Sequence, residues 1–103
     1  IESAPEMYQQ GLNYLYAKRG FAQNIQAGIS LLQAAAEKDY IPAQRELAII
    51  EQQGLFGYHS SEHPAQEWYL RSAKNGDSYS QFEIAKMYYQ GKGVDRNIVQ
   101  AYA

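Results

Sequence analysis

The chain has 103 residues, enough for one domain with a modest core, and at 46% hydrophobic and 19% charged it has an ordinary globular composition. A net charge of −2 argues against non-specific binding of nucleic acid or an anionic membrane, which needs a basic surface, and the lack of cysteine excludes disulfides, thiolate metal sites and a cysteine nucleophile. No apolar run is long enough for membrane insertion. Ile1 in place of an initiator Met points to a processed or trimmed chain whose targeting segment would be missing. Ten Tyr stand against three Phe and one Trp, which favours the aromatic that can be half buried and half wet.

In chain order, the pattern predicts a first helix over about 4–18, a reversal at Gly20 and a second helix over about 24–38. The pair recurs as helices over about 42–54 and 62–75 around Gly57, and begins again with helices at about 78–91 and from 97 onward around Gly93. The period is visible in the residues. Ala43-Gln44, Leu47-Ala48 and Gly54 return as Ser80-Gln81, Ile84-Ala85 and Gly91, each 37 residues on. Ala36 pairs with Ala73 and Asp39 with Gly76, while one period before Ala48 and Gly54 stand the small residues Gly11 and Ala17. Gly57 and Gly93 are 36 apart, which places one extra turn residue in the second copy, near Phe56. Asn24, Ser61 and Asn97 sit where second helices need an N-cap, and Asn97 has Gln100 at capping-box spacing. Four residues after each cap comes a small residue, Gly28, Ala65 or Ala101, which lets helices approach closely. The expectation is one all-α domain over 1–103, an α/α superhelix of about three helix–turn–helix repeats (about 4–39, 40–76 and 77–103, the last reading as truncated).

These residues resemble the Sel-one-like repeat family, a relative of tetratricopeptide repeats. The third copy carries Ile84-Ala85-Lys86-Met87-Tyr88-Tyr89-Gln90-Gly91-Lys92-Gly93-Val94. The second carries Ala65-Gln66-Glu67-Trp68-Tyr69 and Ser72-Ala73-Lys74-Asn75-Gly76, and the first keeps Leu32-Gln33-Ala34-Ala35-Ala36-Glu37. The pattern departs at Glu51, where the family favours Tyr, and in the stretched turn Leu55–His59. The resemblance implies a right-handed superhelix that acts as an adaptor in multiprotein assembly, with no catalytic residues carried over. It also implies core roles for Trp68 and Tyr69 and, because many bacterial members lie in the envelope or are exported, a periplasmic or exported setting.

On the helical wheel Ala43, Leu47, Ile50, Glu51 and Gly54 share the core side of their helix, as do Ser80, Ile84, Met87, Tyr88 and Gly91. The opposite side carries Tyr8, Leu12 and Leu15 in the first copy, Arg45, Ile49 and Gln52 in the second, and Phe82, Lys86 and Tyr89 in the third. Six of these nine are apolar or aromatic, where a face that met only water would be polar. First helices of a solenoid line its concave surface, so these nine are the candidate partner-binding residues, with Tyr16, Tyr79 and Gln90 flanking them. Burial by curvature against neighbouring helices is the competing reading.

Two strings resemble catalytic motifs. His59-Ser60-Ser61-Glu62-His63 has inverted zinc-protease spacing, but Pro64 disfavours helix at His63, Ser61 reads as a cap, and no third histidine exists. Gly91-Lys92-Gly93 follows a helix, whereas a phosphate loop follows a strand. Lys18-Arg19 is the only basic pair. The expected function is a scaffold that binds a protein or peptide in its concave groove, without catalysis, metal or cofactor. The alternatives are an envelope or exported protein that acts on or senses cell-wall-derived ligands, and a structural excerpt of a longer array. The open last repeat is a candidate for self-association.

Overall fold

The computed structural model describes residues 3–57 and 62–90. They form five α-helices: α1 (Ala4–Tyr16), α2 (Ile25–Glu37), α3 (Ile41–Gln53), α4 (Glu62–Lys74) and α5 (Ser78–Tyr89). A single 3-10 turn, Leu55–Gly57, follows α3, and the described residues contain no strand. The sequence-derived elements at Ser61, Gly91, Gly93, Asn97, Gln100 and Ala101, and residues 59–61 of the histidine string, lie outside the described residues.

Local chemistry starts and stops these helices. Ser3 and Glu6 form a reciprocal capping box on α1, and Pro5 occupies its first turn, where no amide donor is needed. Asn24 caps α2 by accepting from the Ala27 amide at 3.0 Å, as its position in the sequence implied. Asp77 does the same for α5: its Oδ2 accepts from the Ser80 amide at 3.0 Å and from the Ser80 hydroxyl at 2.6 Å. The first-helix ends use left-handed residues, Ala17 at φ 53° and Gly54 at φ 69°.

The extra turn residue expected near Phe56 is counted against Gly93, which lies outside the described residues, so the comparison falls to the first two turns. Ala17, Arg19 and Gly20 have φ 53°, 55° and 80°, and their equivalents Gly54, Phe56 and Gly57 have φ 69°, 56° and 85°. The two turns therefore share these three left-handed positions. The 36-residue spacing to Gly93 reflects a comparison with a third turn outside the described residues.

Consecutive repeats join by a tight, repeated device. Asp39 and Gly76 take left-handed conformations after α2 and α4. Tyr40 N–H then bonds back to Ala35 O at 3.3 Å, and Asp77 N–H to Ser72 O at 3.1 Å, a Schellman closure in both places. Across each closure, a glutamine of the next helix donates to the last turn of the previous one. Gln44 Nε2 reaches Ala36 O at 3.0 Å and Gln81 Nε2 reaches Ala73 O at 3.2 Å. These bonds satisfy carbonyls that a helix end leaves without partners.

The apolar faces pack into two cores. Leu15, Ile29, Leu32, Ala35, Ala36, Ala43, Leu47 and Ile50 make the first, and Ala48, Ala65, Tyr69, Ala73, Ile84 and Met87 the second. Tyr69 is buried as the family resemblance implied, whereas Trp68 is only half buried and lies against both cores. Within the first hairpin, α1 and α2 cross at Gly11 and Gly28. A Cβ built on Gly28 would stand 2.6 Å from Leu15 Cγ and 2.9 Å from Gly11 O. Backbone oxygen cannot step aside, so Gly28→Ala is expected to destabilise the fold by about 1–3 kcal/mol despite Ala being the better helix former. Urea denaturation followed by circular dichroism would measure it, and a stabilised variant would contradict the close crossing.

Candidate protein-binding face

The first-type helices α1, α3 and α5 contribute the residues proposed from sequence, and the structure sorts them by exposure. Leu15 leaves the set. Its side chain is fully buried against Gly28 in the first core and has no surface to offer. The wheel misplaced it because Gly28 draws α2 close enough to cover a position that the first copy would otherwise leave open. Tyr8 and Leu12 are half buried on the first core, and Ile49 packs in the same way on the second. For these three, curvature accounts for much of the apolar character. Gln52 is also half buried and accepts from the Tyr69 hydroxyl at 2.9 Å.

Arg45 is a fastener between repeats as well as a half-exposed cation. Its Nη2 lies 2.6 Å from Asp77 Oδ1 and its Nε 3.3 Å from Asp77 Oδ2, and its guanidinium stacks 5.3 Å from the Tyr79 ring centroid. Burial alone would raise the Asp77 carboxyl, but hydrogen bonds from Arg45 and from Ser80 outweigh it and hold Asp77 below its ordinary range. One period earlier the same two positions are Tyr8 and Tyr40, whose rings meet edge-on with centroids 5.4 Å apart. Position for position, an aromatic pair in one junction is replaced by an ion pair in the next.

What remains open is concentrated on α5. Phe82 is 63% exposed and Tyr89 84% exposed. Tyr79 and Lys86 are also exposed, and 79, 82, 86 and 89 fall on one face of the helix. Lys86 lies 5.5 Å from the Phe82 ring centroid and bridges to Glu83 at 3.1 Å. On α1, Tyr16 is also exposed. Its hydroxyl donates to Glu46 at 3.1 Å, its ring meets Phe56 edge-on at 5.3 Å, and burial together with the Glu46 charge pushes its pKa up to about 12. The sequence placed Tyr16 and Tyr79 only on the flanks. Asp77 was not singled out at all, although its spacing to Ser80 is that of a helix cap.

Glu51, the departure from the family pattern, lies on the core side of α3. Burial, reinforced by the Glu67 charge, raises its pKa, and its Oε2 is buried without a hydrogen-bond partner. Two hollows lie away from the α5 face. An open one of about 470 Å³ is lined by Tyr14, Arg19, Phe21, Gln23 and Asn24, and a recess of about 200 Å³ by Glu37, Glu67, Trp68 and Arg71. In the recess, Arg71 binds Glu37 and Asp39 at 3.2 and 3.1 Å. Among the described residues no group of three or more His, Asp or Glu could hold a metal ion, and no helix is long and apolar enough to cross a membrane.

Two substitutions test these electrostatics. Asp77→Ala should cost about 2 kcal/mol, since it removes a helix cap and uncouples Arg45, whereas Asp77→Asn, which keeps the cap, should cost less. Equal losses in denaturant melts would mean that the cap contributes nothing beyond the ion pair, and an unchanged Asp77→Asn that the ion pair contributes nothing. For Glu51 the folded pKa is raised, so the ionised carboxylate opposes folding above that pKa and the penalty disappears once both states are protonated. Glu51→Gln should therefore raise the unfolding midpoint at pH 7, with the gain fading as the pH falls below the ordinary glutamate range. A gain that persists at low pH would assign the effect to packing instead.

The model of the Sel1 repeat matches the chain three times, at residues 4–40, 41–77 and 78–103. A rat protein, DAP3-binding cell death enhancer 1, is 34% identical over 76 residues, and the match covers 74% of this chain and 14% of the relative, so the chain spans about a seventh of that protein's length. The crystal structure of a Sel1 repeat protein from Oxalobacter formigenes superposes with a TM-score of 0.80 at 26% identity, covering 97% of this chain and 76% of the other. That of c5321, a protective antigen of uropathogenic Escherichia coli strains displaying an SLR fold, superposes with a TM-score of 0.73 at 25% identity, covering 96% and 21% of the two chains.

Proposed function

The chain belongs to the Sel1 repeat family, a family of protein–protein interaction scaffolds, and from that premise we propose that it holds a partner polypeptide against the first-helix face with α5 as the anchoring end. The observation that carries this reading is the exposure of Phe82 and Tyr89, two aromatic side chains on one helix face that leave most of their surface in water. Residues of this kind supply the hot spots of interfaces, because burying a rigid aromatic gains much apolar area for little lost freedom. Tyr79 and Lys86 border them, and Tyr8, Leu12, Arg45, Ile49 and Gln52 form the half-buried floor that continues the face across α3 to α1. A partner helix or extended segment with apolar residues at regular spacing fits such a strip.

The test is affinity capture from the native cell, comparing the wild-type chain with Phe82→Ala and Tyr89→Asp. Each should lower recovery of the captured partner about tenfold or more, in line with a hot-spot loss of about 1.4 kcal/mol or more, while the far-ultraviolet circular dichroism stays unchanged. Gln33→Ala, an exposed change on α2, serves as control and should bind normally. Undiminished capture by both aromatic variants would remove α5 as the anchoring end.

A further inference from the structure

The positions by which one repeat leans on the repeat before it are the same in the second and third copies. On α3 they are Ala43, Leu47 and Ile50, all fully buried in the first core. On α5, 37 residues further, they are Ser80, Ile84 and Met87, again buried, with Ile84 and Met87 in the second core. A fourth position, Gln44 or Gln81, donates to the carbonyl of the preceding helix. One period earlier, on α1, the first three positions are Glu6, Gln10 and Asn13, and the fourth is Met7, which cannot donate.

The change of character is confined to that side of α1. Where α1 meets its own hairpin partner it keeps the small residue of the pattern, Gly11 standing for Ala48, and Leu15 is fully buried. Two of the polar groups on the other side are already committed. The Glu6 carboxylate belongs to the Ser3 capping box, and its hydrogen bonds from Ser3 hold its pKa below the ordinary glutamate value. Asn13, itself buried, accepts from Gln9 Nε2 at 3.1 Å.

We propose that Glu6, Met7, Gln10 and Asn13 make α1 a closed face of the helix stack, on which the last repeat of a second copy does not pack. A repeat docked there would desolvate the Glu6 carboxylate and the Gln10 amide without offering them partners, and its last turn would lack the second donor that a glutamine supplies at each internal junction. Head-to-tail joining of copies, which would need this face, is thereby blocked, and with it the open-ended filament that such joining produces.

The proposal is tested by lengthening the full chain, inserting a second copy of residues 41–77 directly before Ala4, in register. With native α1, calorimetry should show the original transition unmoved, the uncoupled added repeat contributing no cooperative transition of its own. With Glu6→Ala, Met7→Gln, Gln10→Leu and Asn13→Ile together, which give α1 the pattern of α3, the lengthened chain should melt as one unit with its midpoint raised by roughly 4–8 °C. If the fourfold variant does not fold, Met7→Gln with Gln10→Leu carries the same comparison, a smaller rise being expected. One cooperative, raised transition with native α1 would overturn the proposal, and so would a failure of the folded variants to couple.

Discussion

The constraint on which the array depends lies at its junctions, where one helix ends against the start of the next. A helix C-terminus leaves carbonyls without donors, and burying them between repeats would be costly. Here the chain turns through one left-handed residue, closes two backbone bonds, and lets Gln44 or Gln81 donate to the last turn. Every part of that device recurs after 37 residues. The repeat length is thus set by polar bookkeeping as well as by hydrophobic period. The junction between α2 and α3 and that between α4 and α5 are closed by the same bonds.

The first-helix face is not uniformly sticky. Where two repeats follow one another, its side chains are used to fasten them: Tyr8 against Tyr40, and Arg45 against Asp77 and Tyr79. The exposed aromatics collect on α5, where Phe82 stands in the position that Tyr8 and Arg45 occupy in the preceding copies. The same site in the repeat thus fastens neighbours in two copies and stands exposed in the third.

The fold was legible in the sequence because its signals are local and repeated. The small residues Gly28 and Ala65, the Asn24 cap and the glycine turns each imply a helix boundary or a close approach, and they agree with one another. The face was only partly legible. A helical wheel distinguishes sides of one helix but knows nothing of how near the neighbouring helix comes, so Leu15 read as surface when Gly28 had drawn α2 over it. Arg45 read as a free polar residue because its partner, Asp77, is 32 positions away and on another helix. Glu51 was visible as a departure from the family pattern, but its cost was not, since that cost arises from Glu67 across the hairpin and from a buried oxygen without a donor.

Trp68 is the chain's single tryptophan, and it is half buried against both cores with the Arg71 guanidinium 5.7 Å from its ring centroid. Its indole emission therefore comes from one known place, the seam where the first and second repeats meet. Fluorescence of the unlabelled protein reports on the parting of those two repeats, whereas helix content measured by circular dichroism averages over all of them. Any gap between the two signals on heating would mark the order in which the stack comes undone.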